Sequence, residues 1–175
     1  PSFDDESEVD IRAQLGIAED KFVILLTGGF HAIKGTKDAL DALEYMQTRE
    51  RVAVVVLSCS VYPSPRWKIL LKRILRRKSY SETVIRAAEN HNNVFLLPPT
   101  LQVKAYMQQC NVLVAPFIMP HAAKAALEAQ SLGHPAVLYD SAEAREYVRH
   151  EDTGLIVPHG DVPGLAKALD DLVQH

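Results

Sequence analysis

Lys34 lies in a loop whose composition suits the binding of an anion. The loop, residues 27–36, follows an apolar run and reads TGGFHAIKGT. The paired glycines Gly28 and Gly29 let a ligand approach the backbone, and a lysine at a helix N-terminus adds its charge to that of the free amides. The loop therefore indicates a phosphate site. The alternative is a tight turn whose lysine is solvated.

Two common nucleotide-binding motifs are absent from this loop. A P-loop needs a glycine directly before Lys34 and a hydroxyl residue directly after it, but Ile33 and Gly35 stand there. A dinucleotide fingerprint fails because Phe30 takes the place of its second glycine. A dehydrogenase is therefore disfavoured.

A second loop and its helix, residues 116–129, carry a carboxylate among small residues and read PFIMPHAAKAALEA. The alanines allow the helix to lie close to the sheet, where Glu128 would need a hydrogen-bonding partner. A ribose diol could serve, and free amides near residues 121–124 could hold phosphate. The alternative is that Glu128 caps a nearby backbone group or pairs with an arginine. The alanines are Ala122, Ala123, Ala125, Ala126 and Ala129.

His121 and Lys124 are further candidate ligands in this second loop. A neutral imidazole can hydrogen-bond a sugar hydroxyl, and a protonated one can face phosphate. Lys124 stands in the first helical turn, where the helix dipole disfavours a cation. A lysine at this position therefore suggests a role in binding. Ordinary solvent exposure of both is the alternative, and His31 is a weaker candidate in the first loop.

Six short apolar runs rich in β-branched residues alternate with helical patterns along the chain. Unbroken apolar runs are typical of strands that are covered on both faces of a parallel sheet. The sequence therefore predicts an α/β fold, a Rossmann-like doubly wound parallel sheet of about six strands, with ligands beyond the carboxyl ends of the strands. The predicted strands are 22–27, 52–57, 94–97, 112–115, 136–139 and 155–157.

Apolar periodicity predicts helices over 36–48, 101–109 and 162–173, and a short helix over 11–16 that Gly16 ends. Asp161 is expected to be the N-cap of the last helix. Asp170 and Asp171 fall inside that helix, far from any strand end, with no reason to bind metal.

Length and composition predict one domain with a sizeable core, from 175 residues of which 47% are hydrophobic. Residues 1–10 are acidic and are interpreted as a linker from an absent N-terminal domain, which leaves residues 11–175 as the domain. A net charge of −3 argues against nucleic-acid binding. Two cysteines suit a reducing compartment, and no apolar run approaches the ~18 residues of a membrane span, so a cytoplasmic location is expected.

An insertion is predicted at about residues 62–92, where the connection between strands is unusually long. Within it, residues 66–78 combine a Trp/Leu/Ile stripe with seven cations, the pattern of a basic amphipathic helix. Peripheral contact with an anionic membrane at its inner face is one hypothesis. The other is that the stripe packs on the domain and the cations are solvated.

Four segments together resemble the C-terminal, nucleotide-sugar-binding domain of GT-B glycosyltransferases, specifically the retaining family 4 (group 1). They read RAQLGI from Arg12, ILLTGGF from Ile24 with the later pair KG, CNVLVAP from Cys110, and LEAQSLGHPAV from Leu127. The match continues through TGLIVPHGD, which ends at Asp161, into a helix of Ala and Leu.

The resemblance implies that Lys34 contacts the donor diphosphate, that Glu128 binds the donor ribose, and that both serve catalysis. It implies that the backbone of Leu97, Pro98 and Pro99 faces the base, and that no metal or other cofactor is needed. The remaining candidate donor-binding residues are Gly28, Gly29, His121, Ala122, Ala123 and Lys124.

Two positions depart from the family pattern. Gly29 stands where an arginine is common, and Pro120 stands where the first of two paired glutamates is expected. The departures leave open an altered donor, a different stabilising group such as His121 or Lys124, or a loss of activity.

The resemblance implies a hexosyltransferase that moves a sugar from a nucleotide diphosphate sugar to an acceptor sugar or lipid-linked glycan, held by the absent N-terminal domain. Polysaccharide, lipopolysaccharide or glycolipid synthesis would be its setting, and the isolated chain is expected to be inactive. The alternative is a catalytically silent GT-B-like binding or scaffold module.

Overall fold

The fold is a six-stranded, all-parallel sheet with helices on both faces, seen in a computed structural model that describes residues 10–58 and 79–175. The strand order is β3-β2-β1-β4-β5-β6. The prediction of a Rossmann-like doubly wound sheet is confirmed. The strands are β1 Phe22–Thr27, β2 Val52–Leu57, β3 Val94–Leu97, β4 Val112–Ala115, β5 Ala136–Tyr139 and β6 Gly154–Val157.

Apolar residues on both sides of each central strand explain why the sheet is covered twice. All six residues of β2, VAVVVL, are buried, and so is every residue of β4 and β5. Alternate residues point to opposite faces, so each strand supplies two separate cores. In contrast, the four residues of β3 are only partly buried, because β3 lies at an edge of the described sheet.

The helices divide between the two cores. Helices α2 Thr36–Ala42, α3 Tyr80–Glu89 and α7 Val162–Gln174 pack on one face, and α1 Ile11–Leu15, α4 Val103–Gln108, α5 Lys124–Ser131 and α6 Ala144–Tyr147 pack on the other. Helix α5 turns Ala123, Ala126 and Ala129 inward, each at most 1% exposed. As expected from its composition, this helix lies close to the sheet.

Two predicted caps are confirmed. Gly16 adopts a left-handed conformation with φ 67° at the end of α1. The Asp161 carboxylate accepts a hydrogen bond from the Gly164 amide at 2.9 Å and so begins α7.

Two predicted helices were too long. The helix expected over 36–48 ends at Ala42, and residues 43–45 continue as tighter turns in which, for example, the Leu43 amide donates to the Leu40 carbonyl. The helix expected from residue 101 begins at Val103, and Leu101, where the helix was expected to begin, is fully exposed.

Asp170 is buried in α7, and sequence reasoning gave it no role. Its carboxylate accepts hydrogen bonds from the Gln47 amide, the Thr48 amide and the Thr48 hydroxyl at 3.0, 2.9 and 2.6 Å. Burial raises the pKa of Asp170, but these three bonds outweigh it and leave the pKa below its ordinary value. Asp170 thus ties α7 to the turn that leads into β2.

Several predictions fall on residues outside the described ranges. They are most of the acidic linker 1–10 and the basic amphipathic helix at 66–78. The end of the predicted insertion is described and forms α3, whose Val84 and Ala88 are buried in the core. Among the helices of residues 10–58 and 79–175, none is both long and apolar enough to cross a membrane.

Candidate functional site

The candidate site lies where the loops after β1 and β4 meet. These two strands are paired in the middle of the sheet, and the strand order reverses between them. In doubly wound sheets, ligands bind at such a switch point, beyond the carboxyl ends of the strands. We call residues 28–35 the β1 loop and residues 116–123 the β4 loop.

Backbone contacts hold the two loops together. The Ile118 amide donates to the Ile33 carbonyl at 3.1 Å. Gly35, with φ 63°, lies so close to Pro116 that a Cβ atom at position 35 would be 1.9 Å from the Pro116 carbonyl oxygen. Only glycine fits there, because both the left-handed backbone and the close approach exclude a side chain.

Lys34 reaches across both loops. Its aliphatic stem passes over Gly28, where an added Cβ would lie 2.9 Å from the Lys34 Cε atom. Its Nζ atom lies 4.6 Å from the centroid of the Phe117 ring in the β4 loop. A cation at this distance is attracted by the negative face of the ring. Lys34 thus lies at the switch point, and its role as a phosphate ligand stays a prediction.

His121 packs against the same ring in a T-shaped arrangement. The two ring centroids are 5.0 Å apart and the ring planes meet at 75°. Burial, and then the charges of Lys34 and His31, lower the pKa of His121 below the ordinary histidine value of 6.5. The imidazole is therefore neutral near pH 7 and gains affinity for a proton when an anion arrives.

The amides of the paired glycines make hydrogen bonds within the protein. The amides of Gly28 and Gly29 both donate to the Leu57 carbonyl, at 2.9 and 3.0 Å, and so are used within the protein. A Cβ at position 29 would lie 3.2 Å from both the Leu57 oxygen and a Val56 methyl group. The end of β2 therefore crowds the position where the family commonly has arginine.

Helix α5 directs its N-terminus toward the site. Its N-cap, Ala123, offers no side-chain hydrogen bond to the first turn, and Ala122 and Lys124 beside it are exposed. Amides of a first helical turn lack partners within the helix and favour anions.

Glu128 is exposed on α5, one turn beyond the helix start. Its expected burial among the alanines was wrong, because Ala126 and Ala129 occupy the inward positions and Glu128 lies on the outer face. Within the described part of the chain, its carboxylate makes neither a hydrogen bond nor an ion pair. It is accessible to a ligand.

Leu97 is the last residue of β3, and Pro98 and Pro99 follow it. Strand β2 separates β3 from β1. The Leu97 carbonyl accepts from the Ser58 amide at 3.1 Å, whereas Pro98 and Pro99 are exposed. The carbonyl of Leu97 is thus engaged within the sheet.

Residues at or just after the ends of β5 and β6, with one in the first turn of α2, support the β4 loop, and the sequence analysis did not predict them. The His159 Nε2 atom donates to the Ile118 carbonyl at 3.0 Å, and its ring lies 5.6 Å from that of Tyr139. The Tyr139 hydroxyl donates to the Asp38 carboxylate at 3.2 Å, and burial followed by the Asp38 charge raises the pKa of Tyr139. The only signal in the sequence was a histidine two residues after a strand.

In the ranges that the structure describes, no group of three or more His, Cys, Asp or Glu side chains could hold a metal ion. Metal independence stays a prediction.

Solved glycosyltransferase structures share this fold. HepE of Anabaena, crystallised with UDP-glucose, superimposes with a TM-score of 0.75 at 20% identity, over 95% of this chain and 43% of that chain. Sucrose-phosphate synthase of Thermosynechococcus elongatus gives 0.70 at 21% identity, over 93% and 39%. WaaG, a glycosyltransferase involved in lipopolysaccharide biosynthesis, gives 0.69 at 18% identity, over 94% and 41%.

This chain thus spans less than half the length of each of these structures. A search of curated proteins found no significant match. The family described as glycosyl transferases group 1 matches residues 7–175, nearly the whole chain. The six-stranded parallel sheet is the fold that these solved structures share, and the family match shows that the chain belongs to the group 1 glycosyltransferases.

Proposed function

We propose that this chain is the donor-binding half of a retaining glycosyltransferase, which transfers a hexosyl group from a nucleotide diphosphate sugar to an acceptor. One observation carries the proposal: Lys34 and His121 converge around Phe117 at the switch point of a group 1 chain. The UDP-glucose complex of HepE supports uridine nucleotides as the first ligands to test.

The leaving diphosphate would be stabilised by cations and amides. As the bond from the anomeric carbon to the diphosphate breaks, negative charge grows on the departing oxygen, and donors already in place lower the barrier. The Lys34 ammonium, His121 and the first-turn amides of α5 are the groups that would do this. Metal independence is part of the proposal, so a chelator should leave transfer unchanged.

The nucleoside would lie along the carboxyl edge of the sheet. The exposed carboxylate of Glu128 can accept hydrogen bonds from both ribose hydroxyls. Because the Ser58 amide engages the Leu97 carbonyl, the backbone contacts to the base would come from Pro98 and Pro99. This arrangement uses neither Arg at position 29 nor Glu at position 120.

The acceptor, a sugar or a lipid-linked glycan, would bind to an N-terminal domain, in polysaccharide, lipopolysaccharide or glycolipid synthesis. WaaG, which is involved in lipopolysaccharide biosynthesis, supports this setting. Positioning of two reactants supplies about 7 to 11 kcal/mol of a barrier in well-oriented cases. The 175-residue chain alone should therefore show no multiple-turnover transfer, and such transfer would contradict the two-domain proposal.

Calorimetric titration of the chain with UDP, GDP, ADP and inorganic pyrophosphate tests donor binding. We expect at least one nucleoside diphosphate to bind more tightly than pyrophosphate. Glu128→Gln should weaken nucleoside diphosphate binding and spare pyrophosphate, because its carboxylate is assigned to the ribose. Glu89→Gln, an exposed change at the far end of α3, is the matched control. Failure of every nucleotide to bind would favour a silent scaffold module.

A further inference from the structure

Phe117 touches two candidate ligands at once. The face of its ring receives the Lys34 ammonium, and the same ring forms a T-shaped pair with the His121 ring. The ring itself is half-buried and packs against one of the two cores. It therefore links a side chain of the β1 loop to one of the β4 loop.

The backbone on either side of this ring is fixed. The Phe117 amide donates to the Ala115 carbonyl at 2.9 Å, and the next amide, of Ile118, donates to the Ile33 carbonyl. His159 holds the Ile118 carbonyl from behind. The ring thus has little freedom to move away from Lys34.

A long lysine side chain loses rotamer freedom when it binds a ligand, and a contact that already restricts it reduces that loss. Gly28 leaves room for the stem of Lys34 and Phe117 attracts its charged end, so both ends of the side chain are restrained. An aliphatic residue of similar size could fill the space but has no negative ring face.

We propose that Phe117 is a positioning residue that holds Lys34 and His121 as one pair, so that the two engage a single diphosphate together. The inference rests on the proposed function and names the part of the site that recognises the diphosphate. Phe117 acts through its two neighbours and needs no contact with the ligand.

The test compares Phe117→Leu with Phe117→Tyr in the 175-residue chain. Without ligand, NMR should show the ε-methylene protons of Lys34 shifted upfield by the ring current in the native chain and in Phe117→Tyr, but not in Phe117→Leu. Pyrophosphate and UDP should bind about threefold to tenfold more weakly to Phe117→Leu, and within about twofold of native to Phe117→Tyr. Should Phe117→Leu not fold, Phe117→Met serves as the second aliphatic variant.

A double-mutant cycle separates positioning from general packing. If Phe117 acts through its two neighbours, then Phe117→Leu should have a smaller effect on affinity in a Lys34→Met background than in the native chain, because only the part that passes through His121 is left. Losses that simply add, or a Phe117→Leu variant that binds pyrophosphate as tightly as native or more tightly, would overturn the proposal. If the native chain binds neither UDP nor pyrophosphate, the proposed function fails and this inference fails with it. If the native chain binds them and Phe117→Leu does not change the affinity, the inference alone is rejected.

Discussion

Charged side chains have opposite environments at the two ends of the sheet. At the amino end, Asp170 is 7% exposed, and three hydrogen bonds from Gln47 and Thr48 satisfy it. At the carboxyl end, burial and then the nearby charges of Lys34 and His31 lower the pKa of His121.

The difference distinguishes charged groups that stabilise the fold from charged groups that are available to bind a ligand. A buried carboxylate with all its partners inside the chain stabilises the fold and has nothing left to offer a ligand. Cationic groups drawn together disfavour one another's charge and gain when an anion binds among them. Stability should therefore depend on the amino end, and affinity for a diphosphate on the carboxyl end.

Gly35 should be the strongest exception to this division, because it lies at the carboxyl end and yet its backbone packs against Pro116. Gly35→Ala meets both a left-handed backbone and the Pro116 carbonyl, so we expect a loss of about 2 to 5 kcal/mol in the free energy of unfolding. Gly16→Ala is the matched control: its φ is also positive, but no atom lies within 4 Å of an added Cβ. Chemical denaturation measures both, and equal losses would mean that the close approach to Pro116 costs nothing.

Asp170→Ala should lower the free energy of unfolding by about 2 to 4 kcal/mol, because two amides and a hydroxyl lose a charged acceptor. Asp171→Ala, at the exposed neighbouring position, should change it by about 0.5 kcal/mol or less. Neither change should affect UDP binding.

The dependence of stability on pH tests the role of the Asp170 carboxylate a second time. Its pKa is lowered in the folded state, so the carboxylate stabilises the fold above the ordinary value of 3.8, and this contribution is lost as the pH falls through the lowered value. The gap in stability between native and Asp170→Ala should therefore narrow in acid. A gap independent of pH would show that the carboxylate charge is not what the hydrogen bonds require.

Lys34→Ala should give the reverse pattern, a loss of about 1.5 to 3 kcal/mol in pyrophosphate and UDP binding with little change in stability. Lys167→Ala, an exposed change on α7, controls for net charge. Unchanged affinity in calorimetric titration of Lys34→Ala would remove this residue from the site.

The smallest effect concerns His121. A bound diphosphate should raise its lowered pKa, so binding takes up a proton and strengthens as the pH falls toward the free-state pKa, below 6.5. UDP titrates in the same range, and His121→Gln isolates the histidine because it retains only the pH dependence of UDP. Identical pH profiles of UDP affinity for the native chain and His121→Gln would exclude this coupling.

The strands could be predicted to within one residue, since each is an unbroken apolar run. The helix ends were harder, because Leu43 and Met46 keep the expected periodicity although tighter turns replace the helix after Ala42. Burial toward one core does not distinguish a helix from turns that continue in the same direction.

Lys34 and His121 were predicted as site residues because their types and their place after a strand already suggest anion binding. Phe117 was not predicted, because its importance comes from a contact with a loop more than eighty positions earlier in the chain. Asp170 and Asp171 are identical in type and adjacent, and only the packing of α7 against the turn at residues 47–48 distinguishes them.

The incomplete burial of β3 has a consequence for amide hydrogen exchange. Amides of the central strands are covered on both faces and should exchange only when the whole domain unfolds, whereas those of an edge strand exchange through local opening. Val94–Leu97 should therefore lose its protection first among the six strands. This strand leads into the segment proposed to face the base, so a bound nucleotide would slow exchange at the least protected edge of the sheet.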